Sequence, residues 1–296
     1  MRRGVRHFAH AFALSSAMAC ACVDAHARQP ASARGDESLQ VILARVGEGV
    51  VRYHAGLFGL AFEETVTLEE LREDMTPKKS REFVFASVVL REDLSKEEGD
   101  YYAETVRRLK TVDGRAAKKD DEAERFAVGA YAEALNFLLP REQKLYEFRL
   151  AGEETLMGRR ALRVGLLRPG EGEPRVEWKG NSFRVVNAPT RWTFWVDAES
   201  FDVLRVESHL AEPFEFESPR LFRAFGPKAK FRYARHDYAV TFRRVRLKDP
   251  DETRLVPDTV ETVGVIEGAS RPRLRRTTRF SDYRRFRSDV KVVEEP

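Results

Sequence analysis

Beyond the segment 1–27, His54, His209 and His236 are the remaining imidazoles. Imidazole is the side chain that most readily moves a proton or holds a metal near neutral pH, but the spacing here supports neither role. The three stand in separate contexts with no H-x-x-x-H pair, and no cysteine lies beyond Cys20 and Cys22 to complete a metal site or act as a nucleophile. His236-Asp237 could orient an imidazole for proton transfer, yet no G-x-S-x-G elbow accompanies it, and the pair reads as a surface contact. With 48 carboxylates in 296 residues, close pairs arise by chance and give no foothold for a glycosidase. No catalytic residue, metal or cofactor is expected.

Two groups of residues could bind rather than react. In the segment 213–231, Ser218-Pro219 supplies a helix N-cap and a first-turn proline. Leu221, Phe222 and Phe225 then fall on one side of a short helix, which Gly226-Pro227 ends. Together with Phe214, Phe216 and Phe231 this makes an aromatic insert: either a lid over an apolar cavity lined by Trp192 and Phe194, or a plug in the core. The second group is the arginine-rich C-terminal segment. Arg271, Arg273, Arg275 and Arg279 share one strand face, while Leu274, Thr278 and Phe280 share the other. That stripe could meet lipid phosphates or an acidic partner, or be a solvated face opposite glutamates such as those of Glu63 to Glu73. The formal charge is +4, and loss of Met1 to Ala27 would remove Arg2, Arg3, Arg6 and Asp24 and leave +2, a balance that argues against a dedicated nucleic-acid binder.

These residues need a scaffold, and most of it reads as β. The stretch Arg191 to Leu210 predicts a hairpin: Trp192, Phe194 and Val196 alternate with Thr193, Trp195 and Asp197, a turn follows, and Val203 to Leu210 alternates again with Leu204 and Val206 on the buried side. Trp195 opposes Trp192 and Phe194, so both faces carry bulk, and a sheet covered on two sides is expected. Arg205 would stack on Trp195 as a structural cation–π contact. Leu39, Ile42, Leu43, Val46, Val50, Tyr53 and Leu57 predict an amphipathic helix capped by Asp36 or Ser38. Its four glycines make it depend on docking. Strands are expected at 61–72, 82–91 and 101–112, closed by the Asp113-Gly114 turn, with a second helix over 115–139 stopped by Pro140. From Tyr146 to Phe286 the pattern is successive strands joined by short turns, an antiparallel meander. With 42% hydrophobic residues, the chain is long enough to bury about 70–75% of its unfolded surface.

Arg2, Arg3 and Arg6 precede an apolar run from Ala11 to Val23 that ends at Ala25-His26-Ala27, the layout of a secretory signal peptide over 1–27. Both cysteines would leave with it; the alternative is a lipoprotein anchored through Cys20 or Cys22. A run of about 13 apolar residues is shorter than the ~20 a membrane-spanning helix needs. A flexible linker over 28–37 and a single domain over 38–293, carrying the insert at 213–231, complete the division.

Four motifs carry a family resemblance: G-R-R-A-L-R-V-G-L at Gly158 to Leu166, W-T-F-W-V-D-A-E-S-F-D-V-L-R-V-E at Trp192 to Glu207, L-V-P-D-T-V-E at Leu255 to Glu261, and F-S-D-Y-R-R-F at Phe280 to Phe286. Between about Phe62 and Val290 the chain resembles secreted bacterial proteins that in turn resemble the LolA-like superfamily, which includes periplasmic lipoprotein carriers and envelope-stress sensors. The resemblance implies an α+β, mainly β fold: a curved antiparallel sheet of about ten strands, an unclosed β-barrel, wrapped on an N-terminal helix and a second helix. Its concave face would be apolar enough to hold acyl chains. The function expected is a periplasmic or secreted non-catalytic binding protein for a lipid or lipidated partner, with peripheral membrane contact. The alternative is an envelope interaction or sensor module with a filled core.

Overall fold

The computed structural model describes residues 31–92, 102–118, 134–170, 172–179, 182–217, 230–269 and 272–286. The expected signal peptide and both cysteines lie outside these residues. So do Leu221, Phe222, Phe225, Arg271 and the part of the expected second helix over 119–133.

Helix α1 (Ala31–Leu57) opens the described chain. It starts earlier than expected, so the linker assigned to 28–37 is helical from Ala31, and Asp36 and Ser38 sit inside the helix rather than at its cap. The physical reason is local: Pro30 is the last proline of the stretch, and alanines at 31 and 33 favour helix. Leu39, Ile42, Val46, Val50, Tyr53 and Leu57 are buried, the apolar stripe predicted from their spacing. At the helix C-terminus the Arg285 guanidinium donates to the carbonyls of Phe58 (2.7 Å) and Gly56 (3.4 Å), while Glu252 holds Arg285 from the other side. A cation there satisfies carbonyls that have no partner within the helix.

The strands are β1 (Leu60–Leu71), β2 (Pro77–Glu92), β3 (Tyr102–Val112), β4 (Arg115–Ala116), β5 (Phe148–Leu156), β6 (Arg159–Arg168), β7 (Arg175–Lys179), β8 (Ser182–Val186), β9 (Thr190–Asp197), β10 (Val203–Leu210), β11 (Phe214–Glu217), β12 (Lys230–Leu247), β13 (Glu252–Glu267) and β14 (Arg273–Arg285). Twelve form one antiparallel sheet in the order β4-β3-β2-β1-β14-β13-β12-β10-β9-β6-β5, with β11 paired to β12; β7 and β8 make a separate ribbon. The sheet is curved and not closed into a barrel. The meander expected from Tyr146 to Phe286 is present as β5, β6, β9, β10, β12, β13 and β14 in chain order, with β7–β8 as a side ribbon, but it does not extend over the whole sheet. The chain runs outward from β1 to β4, restarts at the opposite edge with β5, and works inward to β14, so that first and last strands meet mid-sheet. The second helix is also corrected where it is described. Arg115 and Ala116 are strand, and Ala134 to Leu145 holds two short 3₁₀ turns, Asn136–Leu138 and Gln143–Leu145.

Turn chemistry explains the hairpins. Asp113 (φ 49°) and Gly114 (φ 76°) both take the left-handed region, as a two-residue turn between β3 and β4 requires, and glycine tolerates it without strain. In the β9–β10 hairpin, Asp197 accepts from the amides of Glu199 (3.1 Å) and Ser200 (2.7 Å), from the Ser200 hydroxyl and from Arg159. Burial alone would raise its pKa; these donors outweigh it and hold the carboxyl below its ordinary value. A bulge between Val203 and Arg205 rotates the second strand. Val203 and Val206 therefore face inward, and Leu204 faces outward with Trp195 and Ala161, not inward as its alternation suggested. That outer cluster is small, which corrects the expectation of a second covered face. Trp195 is instead shielded by Leu156, Leu204 and the Arg205 guanidinium (6.0 Å), and its indole nitrogen donates to Glu154 (2.6 Å).

The core follows from strand register. Directly paired residues on neighbouring antiparallel strands point to the same side. One inner row therefore reads Val164, Phe194, Val206, Val240, Val260, Thr278, Val66, Phe83 and Val112 across nine strands. Every member is at most 4% exposed. This belt runs the width of the concave face. Below it, towards the start of β1, α1 packs on Phe62, Phe280, Val256 and Phe242, the last meeting Tyr53 edge-on at 5.7 Å. Gly47 lets the chain after the first 3₁₀ turn press close: a Cβ there would lie 2.9 Å from the Gln143 amide nitrogen and 3.2 Å from the Leu138 carbonyl oxygen. That amide bridges the two segments, donating to the carbonyls of Leu43 and Leu138.

Candidate ligand-binding trough

One step above the belt, towards the end of β1, the next inner row is Leu166, Trp192, Ser208, Tyr238, Thr262, Arg276, Leu68 and Arg81. Burial falls away across it: Leu166, Ser208 and Tyr238 are buried, Trp192, Thr262, Arg276 and Leu68 only half-buried, and Arg81 exposed. The row above contains His236, Gly264, Leu274 and Glu70, and Leu274 is 48% exposed. The concave face is thus sealed at the belt and opens above it.

The open part has an aromatic wall. Trp192 lies 4.8 Å from Phe137, 6.2 Å from Tyr238 and 6.3 Å from Phe194 between ring centroids. Further along β12, Phe214 and Phe216 pack on Tyr233, and Phe216 stacks on Phe231 at 5.7 Å. The two aromatic groups share the same inner face: the Tyr233 hydroxyl lies 3.8 Å from where a Cβ on Gly264 would stand, and it contacts His236 Nδ1 at 3.0 Å. Burial holds His236 below its ordinary pKa, with Asp237 opposing the shift. His236-Asp237 forms no dyad, because successive strand residues face opposite ways. Asp237 turns outward, accepting from Arg235 and meeting His209 Nδ1 at 2.8 Å.

The charged residues of the inner wall escaped the sequence reading. Glu64 is 0% exposed and accepts from Ser87 Oγ (2.6 Å), Arg107 Nε (3.1 Å) and Arg107 Nη2 (2.7 Å). The Arg107 guanidinium lies 4.0 Å from the Phe85 ring centroid. Arg276 comes from the opposite side of β1. Burial first, and the repulsion of Arg107 second, lower its pKa to about 10 against the attraction of Glu64. Between them stands Thr278, 0% exposed, whose hydroxyl has no hydrogen-bond partner among the described residues. The signal was present in the parity of the strands: Glu64 shares the face of Phe62 and Val66, and Arg276 shares the face of Leu274, Thr278 and Phe280.

The predicted site residues thus fall into separate places. Trp192 borders the opening, Phe194 is enclosed in the belt, and Phe214 and Phe216 flank the open rows on β11. Of the arginine stripe, Arg275 is half-buried and pairs with Glu69 (3.3 Å), one of the glutamates named as opposing it, whereas Arg273 and Arg279 share its outer face. No helix among the described residues is long and apolar enough to cross a membrane, which says nothing of strands.

No family model matches the sequence, and no curated protein matches it. Among solved structures, the chain is similar to a domain assigned to outer membrane lipoprotein sorting in Vibrio parahaemolyticus, at 13% identity over 88% of this chain and 95% of that one, with a TM-score of 0.32. A LolA superfamily protein from Nitrosomonas europaea aligns at 11% identity over 84% and 93%, with a TM-score of 0.29. A DUF1329 family protein from Desulfovibrio piger aligns at 13% over 84% and 94%, with a TM-score of 0.33.

Proposed function

We propose that this is an exported, non-catalytic binding protein that holds an apolar ligand, a lipid or the acyl part of a lipidated partner, against the open upper rows of its concave face. The observation that carries this reading is the change in burial between adjacent rows: a belt at most 4% exposed, and above it half-buried Trp192, Leu68 and Arg276 with Leu274 at 48%. An inward-facing apolar surface left partly wet is where an acyl chain gains about 0.8 kcal/mol per methylene it buries. The sealed belt limits the depth, so Phe194 supports the wall and Trp192, Phe214 and Phe216 meet the ligand. The outward Arg273 and Arg279 would serve peripheral contact with an anionic membrane surface.

A second reading has its own support. Since the lower half of the concave face is occupied by α1, the chain could instead be an envelope interaction or sensor module whose interior serves only its own packing. Native mass spectrometry of the protein, exported from a bacterial host and purified without detergent, separates the two. The binding reading expects a bound species of lipid mass that is released on collisional activation. A chain that always flies empty overturns it in favour of the module.

A further inference from the structure

We propose that two copies of this chain join edge to edge through β3, in antiparallel register about Val106, to make one continuous sheet. The pairing is independent of the trough and of its ligand. Three observations carry it.

First, β3 is an open side of the sheet. Of its 11 residues, Thr111 and Val112 pair with β4, and the Ala117 amide adds a bond to the Lys110 carbonyl. Among the described residues, no strand pairs with the run from Ala103 to Leu109 on the side away from β2. An uncovered strand edge is a template for another strand unless proline, lysine or a bulge blunts it. β3 has no proline, and its lysine and its bulge both fall at residue 110, next to β4. The opposite edge differs. There β5 is broken in mid-strand by a bulge at Ala151, whose carbonyl accepts from the Arg163 guanidinium at 2.9 Å.

Second, the outer face turns apolar at the β3 edge. Further in, its rows are polar, as in Arg205, Thr241, Thr259, Arg279 and Thr65. At the edge, the row reads Ala61, Val88 and Val106. Val106 is 49% exposed, and Leu90, two residues beyond Val88 on the same face of β2, is 39% exposed. A second copy across the edge sets Val106 against Val106 and continues the row, a β-branched pair of the kind that stabilises neighbouring strands.

Third, the sequence of β3 complements its own reverse. Glu104 and Arg108 stand two residues to either side of Val106, so a two-fold axis through Val106 sets each glutamate across from the other copy's arginine. Opposite charges directly across a strand pair attract and like charges repel. The axis is perpendicular to the sheet, so both concave faces stay on the same side and neither trough is covered. A junction one strand wide belongs with the small, reversible interfaces, and the dimer should therefore depend on concentration.

Sedimentation velocity of the purified protein from micromolar to millimolar concentration should show monomer passing into dimer. Arg108→Glu should weaken association by at least about tenfold, because two symmetric pairs turn from attraction to repulsion. Glu104→Arg should do the same. A mixture of the two single variants should associate again as the wild type does, since every pair across the junction then has opposite signs. Far-UV circular dichroism of each variant checks that the fold is kept. A protein that stays monomeric at millimolar concentration overturns the pairing. A dimer indifferent to Arg108→Glu, or folded single variants whose mixture fails to associate, overturns β3 as its seat.

Discussion

His54 makes the seating of α1 sensitive to pH. It is 6% exposed, its ring meets Tyr53 edge-on at 5.5 Å, and its Nε2 has no hydrogen-bond partner among the described residues. Burial, helped by the charge of Arg141, lowers its pKa from 6.5 to about 4. A histidine whose folded pKa lies below its unfolded value binds its proton more readily when the chain is unfolded. Stability is therefore complete above pH 6.5 and is lost as the pH falls towards 4. The whole difference is worth about 3 kcal/mol, of which about 2 kcal/mol is gone by pH 5. Urea unfolding of the wild type and of His54→Gln at pH 7, 6 and 5 isolates the effect, because His236 and the carboxylates titrate in both proteins. Between pH 7 and pH 5, the stability advantage of wild type over variant should shrink by that same amount. A difference that does not change with pH would refute the reasoning.

Three further perturbations follow from the packing. Gly47→Ala would stabilise an isolated helix by up to about 1 kcal/mol, but here the added methyl presses on Gln143 and Leu138, an overpacking cost of about 1–3 kcal/mol. Thermal melting should show a net loss, and a gain would mean that the contact can relax. Glu64→Gln leaves the guanidinium of Arg107 without its buried counter-charge and should cost about 3 kcal/mol in urea unfolding; a loss below about 1 kcal/mol would show that the pair is solvated. Phe194→Ala should lower stability by about 3–5 kcal/mol. Trp192→Ala should instead weaken binding of an acyl probe, and the reverse pattern would put the ligand below the belt.

Strand parity made most of the sheet legible. The alternation around Trp192, the Asp113-Gly114 turn and the stripe from Leu39 to Leu57 each encode local geometry, so each could be read without knowing any partner. What was hidden is non-local. The adjacency of β1 and β14 joins the two strands furthest apart in the chain, and no local pattern records which edges meet. The bulge between Val203 and Arg205 turned Leu204 outward while Val206 kept its expected side, because the extra residue breaks the alternation at that one point. The site was half visible. Aromatic residues announce themselves by type, whereas Glu64, Arg107 and Arg276 look like ordinary surface charges until register places them together on the inner face. Arg276 stood within the segment read as an outward arginine stripe, and its even spacing from Thr278 and Phe280 was the clue to the opposite orientation.

Photo-crosslinking with a fatty acid that carries a diazirine near the end of its chain tests the trough most directly. After irradiation and proteolysis, peptide mass spectrometry should find the label on peptides containing Trp192, Tyr238, Leu68 or Leu274, and an excess of unlabelled fatty acid should abolish it. Label confined to the outer face around Trp195 and Leu204, or label that competitor does not reduce, would contradict a ligand held in the concave sheet.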